Sequence, residues 1–229
     1  QLGRLGSGSD YTAFIDHLGV PSVDGGFGGD YGVYHSVYDN FYWMSHFGDP
    51  EFIYHQAAAR YLGLLAFRTA TADVAPLRFS NYGAAMKDDL DEIRADVTRR
   101  ARTAPGLFEP DFTALLKAVS ELDAAGRAAD AATDALLAKG DAAAFAKMSD
   151  ALNQVERAFL NKDGLPGRPW FKHQLIGPGL TTGYAPWPLP ALREAVEKKD
   201  KAMFDTEAKR IVAALDAGAA KLRAAAAIR

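Results

Sequence analysis

The stretch from residue 141 to residue 160, DAAAFAKMSDALNQVERAFL, repeats its large apolar side chains at alternating intervals of three and four residues. An α-helix turns once in about 3.6 residues, so this interval places these side chains on one helix face. A continuous apolar face of this kind is typical of a seam between packed helices. The stretch therefore predicts a helical bundle. Its seam residues are Phe145, Met148, Leu152, Val155 and Phe159.

The same periodicity predicts three more helices around this seam. They begin after Ser80 or Asn81, after Pro110 and near Lys201. The last of them keeps an apolar stripe almost to the end of the chain. We therefore expect residues 79–229 to form a four-helix-bundle-type domain, and the whole chain to be mainly α.

The first part of the chain has a different composition, rich in Gly, Tyr, Phe and Asp up to about residue 50. Residues 21–34 contain several glycines and little periodicity, which predicts a strand and a loop. A helix opened by Asp49-Pro50 should run to about Thr71 and, being apolar on most sides, should be buried. We place a domain boundary near residue 78. The chain begins without Met or a signal-peptide pattern, so we expect a fragment whose upstream portion is missing.

Charge and composition exclude several kinds of partner and site. A formal net charge of −3 gives no general attraction to phosphate backbones, so we expect no nucleic-acid partner. The chain has no cysteine, so any metal would be held by His, Asp or Glu. No apolar run reaches the length of a transmembrane segment.

Five histidines are present, and no pair of them has the spacing of a helical zinc motif. His35 differs from the others because it follows a glycine-rich loop and precedes an aromatic segment. Asp39 could accept a hydrogen bond from its free ring nitrogen, and Tyr34 could donate its phenol to an oxyanion. The residues alone favour a different interpretation, an aromatic core that contains His35 and is formed by Tyr34, Tyr38, Phe41, Tyr42 and Trp43.

Residues 161–190 form an irregular segment with six prolines and five glycines. A connector of this length in a compact domain is uncommon unless it has a function. Loops held on a rigid scaffold frequently carry binding residues. The segment is therefore a candidate binding loop.

Several short strings occur in the same order as the landmarks of a known peptidase family. In order, these strings are Leu5-Gly6-Ser7-Gly8-Ser9-Asp10, Leu18-Gly19, Tyr34-His35-Ser36-Val37-Tyr38, Asp49-Pro50, Glu156-Arg157-Ala158-Phe159-Leu160, Gly164-Leu165-Pro166-Gly167-Arg168-Pro169 and Tyr184-Ala185. The chain thereby resembles, over nearly its whole length, the zinc peptidases of the glutamate carboxypeptidase and transferrin receptor kind.

This resemblance implies roles for individual residues. His35 corresponds to the last zinc ligand of the family, and Tyr34 to the tyrosine that contacts the tetrahedral intermediate. Gly8 and Ser9 would line the substrate pocket, into which Tyr184 would reach for the terminal carboxylate of a peptide. Asp39 would be the second-shell partner of His35.

The resemblance also implies the setting of these residues. Residues 1–78 would be the C-terminal part of an α/β peptidase domain, and residues 79–229 a dimerisation domain through which a homodimer forms. The parent would bind two zinc ions and a peptide substrate, and would be exported or membrane-anchored. Its other metal ligands and its general base would lie upstream, so we expect this chain alone to hold no zinc and to hydrolyse nothing.

The chain departs from the glutamate-selective members of the family at two places. Gly183 stands where they have lysine, and residues 21–30 contain no arginine where they have an arginine patch. An acidic substrate side chain would lack a cationic partner there. The sequence therefore does not predict selectivity for C-terminal glutamate.

Three hypotheses about function remain open from the sequence. The parent is a co-catalytic zinc exopeptidase, or it is a non-catalytic, dimeric binding protein like the transferrin receptors. In the third hypothesis, residues 79–229 are a helical association module in their own right. The upstream sequence would separate the first two, and a concentration-dependent dimer would support the third.

Overall fold

The computed structural model describes residues 3–103 and 105–229, and these residues form two compact units. One unit consists of residues 24–72, and the other joins the residues before 24 to residues 73–229. The domain boundary predicted near residue 78 stays a prediction. Residues 1 and 2, which open the predicted 1–78 segment, lie outside the described residues.

The described part of the chain is mainly helical and contains no β-strand, only two isolated bridges that join Leu160 to His173 and Leu165 to Arg168. None of its helices is both long and apolar enough to cross a membrane. The helices are α1 (Phe41–Trp43), α2 (Ile53–Ala70), α3 (Tyr82–Ala101), α4 (Thr113–Lys139), α5 (Ala142–Asn153), α6 (Pro190–Lys198) and α7 (Lys201–Ala226), with π-helical turns at Ala13–Leu18 and Met44–Gly48 and a 3-10 turn at Glu156–Phe159.

The larger unit is built on two long helices, α4 and α7, which pack against each other along their length. Helix α3 packs on α4, while α5 and α6 pack on α7. The core between them is aliphatic and aromatic, and Leu122, Leu215 and Leu222 at its centre have no exposed surface. The predicted helical bundle is confirmed.

The seam predicted over residues 141–160 is buried as expected, although its backbone changes conformation. The side chain of Asp141 caps α5 by accepting a hydrogen bond from Ala143 N at 3.1 Å. Helix α5 ends at Asn153, and the chain continues through the 3-10 turn without leaving the core. The four seam residues that are completely buried are Met148, Leu152, Val155 and Phe159.

The residues immediately before α3 are hydrogen-bonded to a side chain of α4. The carboxylate of Asp130 accepts hydrogen bonds from the backbone N–H groups of Phe79 and Ser80, each at 3.0 Å. Helix α4 comes this close because it has glycine at position 126. A Cβ atom there would lie 2.5 Å from the carbonyl oxygen of Phe79.

We expect Gly126→Ala to lower the free energy of unfolding by about 1–3 kcal/mol, because a backbone clash outweighs the gain in helix propensity. The matched control is Ser120→Ala at an exposed position of the same helix, which should change stability by less than about 0.5 kcal/mol. Urea unfolding followed by circular dichroism measures both. A stabilised Gly126→Ala variant would contradict the close approach of α4 to Phe79.

The irregular segment predicted over residues 161–190 is confirmed, and the ion pair that fixes its first part was not foreseen. Nη2 of Arg168 lies 2.5 Å from Oε1 of Glu194, and both side chains are nearly buried. Glu194 belongs to α6, a helix that the sequence analysis missed although Pro190 occupies its first turn. The ion pair thus ties the loop to the bundle.

In the smaller unit, two predictions are wrong: the strand within residues 21–34 and the burial of helix α2. Residues 21–34 form no strand, because a strand needs neighbours for its backbone hydrogen bonds and the described chain supplies none there. Helix α2 ends at Ala70, close to the predicted end, but none of its residues is buried. The expectation that this helix is buried is therefore wrong. Its large exposed side chains are Ile53, Tyr54, Tyr61, Leu62, Leu64 and Phe67.

Candidate functional site

A first glycine-rich loop, residues 5–10, lies against the second half of the 161–190 segment. A Cβ atom on Gly8 would be 3.0 Å from the Cβ of Tyr184, and one on Gly6 would be 2.7 Å from the Cα of Pro186. The hydroxyl of Ser7 donates to the carbonyl oxygen of Gly183 at 3.3 Å. The larger unit therefore brings together Gly8 and Tyr184, two residues predicted to line one pocket.

Both sides of this contact face solvent. Tyr184 is 60% exposed, and Gly8 and Ser9 are exposed as well. Ser9 follows Gly8 at the start of the next helical turn, where its carbonyl oxygen accepts hydrogen bonds from the backbone and the hydroxyl of Thr12. We name the surface formed by Gly8, Ser9 and Tyr184 the pocket wall. Its small residues leave the tyrosine ring accessible to a ligand.

The other predicted site residues belong to the smaller unit. Tyr34 and His35 are exposed neighbours whose rings stack with centroids 3.8 Å apart. His35 has φ of 60°, a left-handed conformation that few non-glycine residues adopt. The backbone N–H of Asp39 donates to the carbonyl of Ser36 at 3.1 Å, so these two residues belong to one turn. Strained, exposed side chains of this kind are frequent at functional sites.

The described residues of this chain do not by themselves form a zinc site. Zinc in proteins takes three or four protein ligands. Across residues 3–103 and 105–229, no three His, Asp or Glu side chains converge on a common point. His35 could supply one ligand, and the others would have to come from elsewhere in a larger protein.

Three of the remaining histidines have hydrogen-bond partners, two of them close in sequence and one distant. Nδ1 of His17 pairs with the carbonyl of Trp170 at 2.7 Å, and Nδ1 of His46 with that of Tyr42 at 2.8 Å. Nδ1 of His55 lies 2.7 Å from the Asp49 carboxylate. These contacts suit structural roles, in agreement with the expectation for histidines outside any motif.

The fifth histidine, His173, is completely buried and belongs to a polar network that the sequence analysis did not find. Its Nδ1 lies 3.2 Å from the backbone nitrogen of Leu175 and 3.1 Å from that of Ile176. Backbone N–H groups only donate, so Nδ1 is the acceptor and the ring hydrogen is on Nε2. Nε2–H then donates to Oε1 of Glu156 at 2.9 Å. The ring is therefore neutral.

The other oxygen of Glu156 accepts a hydrogen bond of 2.5 Å from the hydroxyl of Tyr82. Burial, and then the neighbouring carboxylate, raise the pKa of Tyr82 well above its ordinary value, so the phenol keeps its proton. Glu156 is buried and satisfied on both oxygens. The signal in the sequence was a glutamate placed one residue after Val155 of an otherwise apolar seam.

A further buried carboxyl group, that of Asp16, lies beside this network. Its side chain has no exposed surface, and neither of its oxygens has a hydrogen-bond partner among the residues that the structure describes. Burial raises the pKa of Asp16 to about 7. Its backbone carbonyl accepts hydrogen bonds from the N–H groups of Lys172 and His173, at 2.7 and 2.9 Å. Asp16 thus joins the glycine-rich segment to the binding loop.

The helical bundle of the larger unit corresponds to a known class of domain. Residues 110–223 match the transferrin receptor-like dimerisation domain family. The helical part of the chain is thus a domain of that class.

Relatives with known names cover more of the chain. It is 35% identical over 196 residues to the probable glutamate carboxypeptidase LAMP1 of Arabidopsis thaliana, across 86% of this chain and 27% of that protein. A probable glutamate carboxypeptidase of Arthroderma benhamiae is 36% identical over 203 residues, with the same shares covered. Aminopeptidase NAALADL1 of Rattus norvegicus is 30% identical over 206 residues, covering 81% of this chain and 27% of that protein.

The chain belongs to this family of glutamate carboxypeptidase-like, transferrin receptor-like peptidases. It spans about a quarter of the length of these curated relatives, since 27% of each is covered. With up to 86% of this chain covered, these matches extend beyond residues 110–223.

Proposed function

We propose that this chain is the C-terminal region of a co-catalytic zinc exopeptidase, to which it contributes one zinc ligand, a pocket wall and a dimer interface. The observation that carries the proposal is the contact between Gly8 and Tyr184, which are far apart in the sequence and were both expected in the pocket. The named relatives supply the reaction class, since they are called carboxypeptidases and an aminopeptidase.

In this proposal each unit has its own part of the chemistry. His35 is one of the ligands of two zinc ions in the intact parent, and zinc would polarise a water molecule and the peptide carbonyl. Tyr34 donates its phenol to the oxyanion of the tetrahedral intermediate. Asp39 orients the His35 ring. Gly8 and Ser9 leave room for the end of the peptide, and Tyr184 donates to its terminal carboxylate.

Residues 1–78 are, in this proposal, a remnant of an α/β peptidase domain. The exposed apolar side chains of α2 support it, because a helix with that surface is stable in water only when another element covers it. The absence of a strand at residues 21–34 of the described chain also fits, since strands form only beside sheet neighbours. In the intact parent, the upstream part of the peptidase domain would provide both.

The test uses the intact protein that contains this chain. We expect it to bind zinc and to hydrolyse short peptides from one end. His35→Ala should lower both the zinc content and kcat/KM by at least about 100-fold. Tyr34→Phe should keep the zinc and lower kcat by roughly 100-fold. His46→Ala, which alters an exposed histidine bonded within its own turn, is the control and should change neither.

A second function, association through the helical domain, is favoured by the match of residues 110–223 to a dimerisation domain family. We expect the chain to sediment as a monomer at low concentration and as a dimer at high concentration, with or without added zinc. An intact protein that dimerises but neither binds zinc nor cleaves peptides would replace the peptidase proposal with that of a transferrin receptor-like binding protein. A chain that stays monomeric at high concentration would remove the dimer interface from the proposal.

A further inference from the structure

The part of the binding loop that carries Tyr184 begins at Leu175 and ends at Leu189, and both of these residues are buried. The backbone N–H of Leu189 donates to the carbonyl of Leu175 at 3.0 Å, so residues 175–189 form a closed loop. Immediately before its base, Nδ1 of His173 accepts the N–H groups of Leu175 and Ile176. One ring nitrogen therefore fixes the direction in which the chain enters this loop.

The same histidine is tied to the segment that carries Gly8. Its backbone N–H donates to the carbonyl of Asp16, which lies in the helical turn directly after the glycine-rich loop. Its Nε2–H is anchored on Glu156 at the end of the bundle seam. Through His173, the segment that carries Gly8 and the loop that carries Tyr184 are both connected to the bundle.

The surroundings of the ring hold it in one tautomer. The groups around it are the Glu156 carboxylate, the Asp16 carboxyl and, through Glu156, the Tyr82 hydroxyl. A proton on Nδ1 would face the N–H groups of Leu175 and Ile176, which are themselves donors, so both of these hydrogen bonds would be lost. The His173, Glu156 and Tyr82 side chains are fully hydrogen-bonded, and a buried network satisfied in this way is rigid.

We propose that His173 is a positioning residue for the pocket wall, with Nδ1 setting the base of the Tyr184 loop and Nε2–H locking the ring to Glu156. The proposal rests on the proposed function only for the statement that the wall receives the end of a peptide. The arrangement itself is a property of this chain without zinc or substrate.

Two substitutions separate the two ring nitrogens. In His173→Asn the side-chain amide oxygen can take the place of Nδ1, whereas in His173→Gln the amide nitrogen can take the place of Nε2. We expect the asparagine variant to keep the nuclear Overhauser contact between Gly8 and the Tyr184 ring, together with slow exchange of the Leu175 and Ile176 amides. The glutamine variant should lose the contact and exchange these amides at least about 10-fold faster.

The comparison is made on the full chain by NMR, with stability measured in parallel. A merely structural role would affect both variants alike, since each removes the same ring from the core. Tyr82→Phe is the control, because it deletes only the hydroxyl that donates a hydrogen bond to Glu156. It should leave the contact between Gly8 and Tyr184 and the amide exchange rates unchanged. A glutamine variant that keeps the contact, or a folded asparagine variant that loses it, would overturn the proposal.

One measurement needs no variant. The imidazole nitrogen shifts of the unmodified chain should identify Nε2 as protonated and Nδ1 as an acceptor, and a protonated Nδ1 would overturn the proposal even if neither variant folds. In the intact enzyme the glutamine variant should raise KM more than it lowers kcat. If the intact protein cleaves nothing while the NMR results hold, the proposed function fails and the positioning role of His173 stands.

Discussion

Phe159→Ala should lower the free energy of unfolding of the chain by about 3–5 kcal/mol, because it opens a cavity at the centre of the larger unit. The Phe159 side chain is completely buried. Its ring stacks on Tyr82 with centroids 5.8 Å apart and lies 5.9 Å from the His173 ring. A Cβ on Gly218 of α7 would be 2.7 Å from Cε1 of this ring. The surrounding groups are therefore too constrained to close the cavity.

Urea unfolding at a single pH measures the loss. The control is Leu137→Ala, a truncation of a side chain that is 39% exposed on α4, which should cost less than about 1 kcal/mol. Equal losses in the two variants would show that Phe159 is not at the centre of the core. Since Phe159 also contacts His173, we further expect the cavity to speed exchange of the Leu175 amide.

The second large effect is a pH dependence of stability that comes from Asp16. Burial raises the pKa of this carboxyl from 3.8 to about 7 in the folded protein. A raised folded pKa means that the folded state holds the proton more tightly than the unfolded state. The stability associated with this proton is fully present below about pH 4 and is lost as the pH rises to 7. Asp16→Asn removes the ionisation while keeping the shape.

Relative to Asp16→Asn, the unmodified chain should therefore lose roughly 2–3 kcal/mol of stability between pH 5 and pH 8. Unfolding in urea at these two pH values measures the difference, and the comparison cancels the titration of all other groups. Asp216→Asn, at an exposed position of α7, should leave the pH dependence unchanged. A constant difference between the Asp16 variant and the unmodified chain would mean that Asp16 is solvated or hydrogen-bonded in the folded state.

The pocket wall was predictable only through resemblance. Nothing in the spacing of Gly8 and Tyr184 indicates that they are in contact, because they lie on two irregular segments that are far apart in the sequence. Ordered family landmarks marked both. The roles of Tyr34, His35 and Asp39 remain predictions, since no cluster of metal ligands is found among the described residues.

The sequence by itself determined the bundle. Its apolar intervals located α3, α4, α5 and α7, because helix periodicity and burial of one face are local properties of the chain. The composition also indicated that residues 161–190 form a long irregular loop.

Only the tertiary structure decided which polar groups lie inside. Glu156, His173 and Asp16 have no local pattern in common, and their burial depends on the crossing of three segments that are distant in sequence. The burial predicted for α2 failed for the same reason, since a helix apolar on most sides is buried only where other elements cover it. Periodicity specifies which face of an element is apolar, whereas the partner that covers that face is a property of the assembled fold.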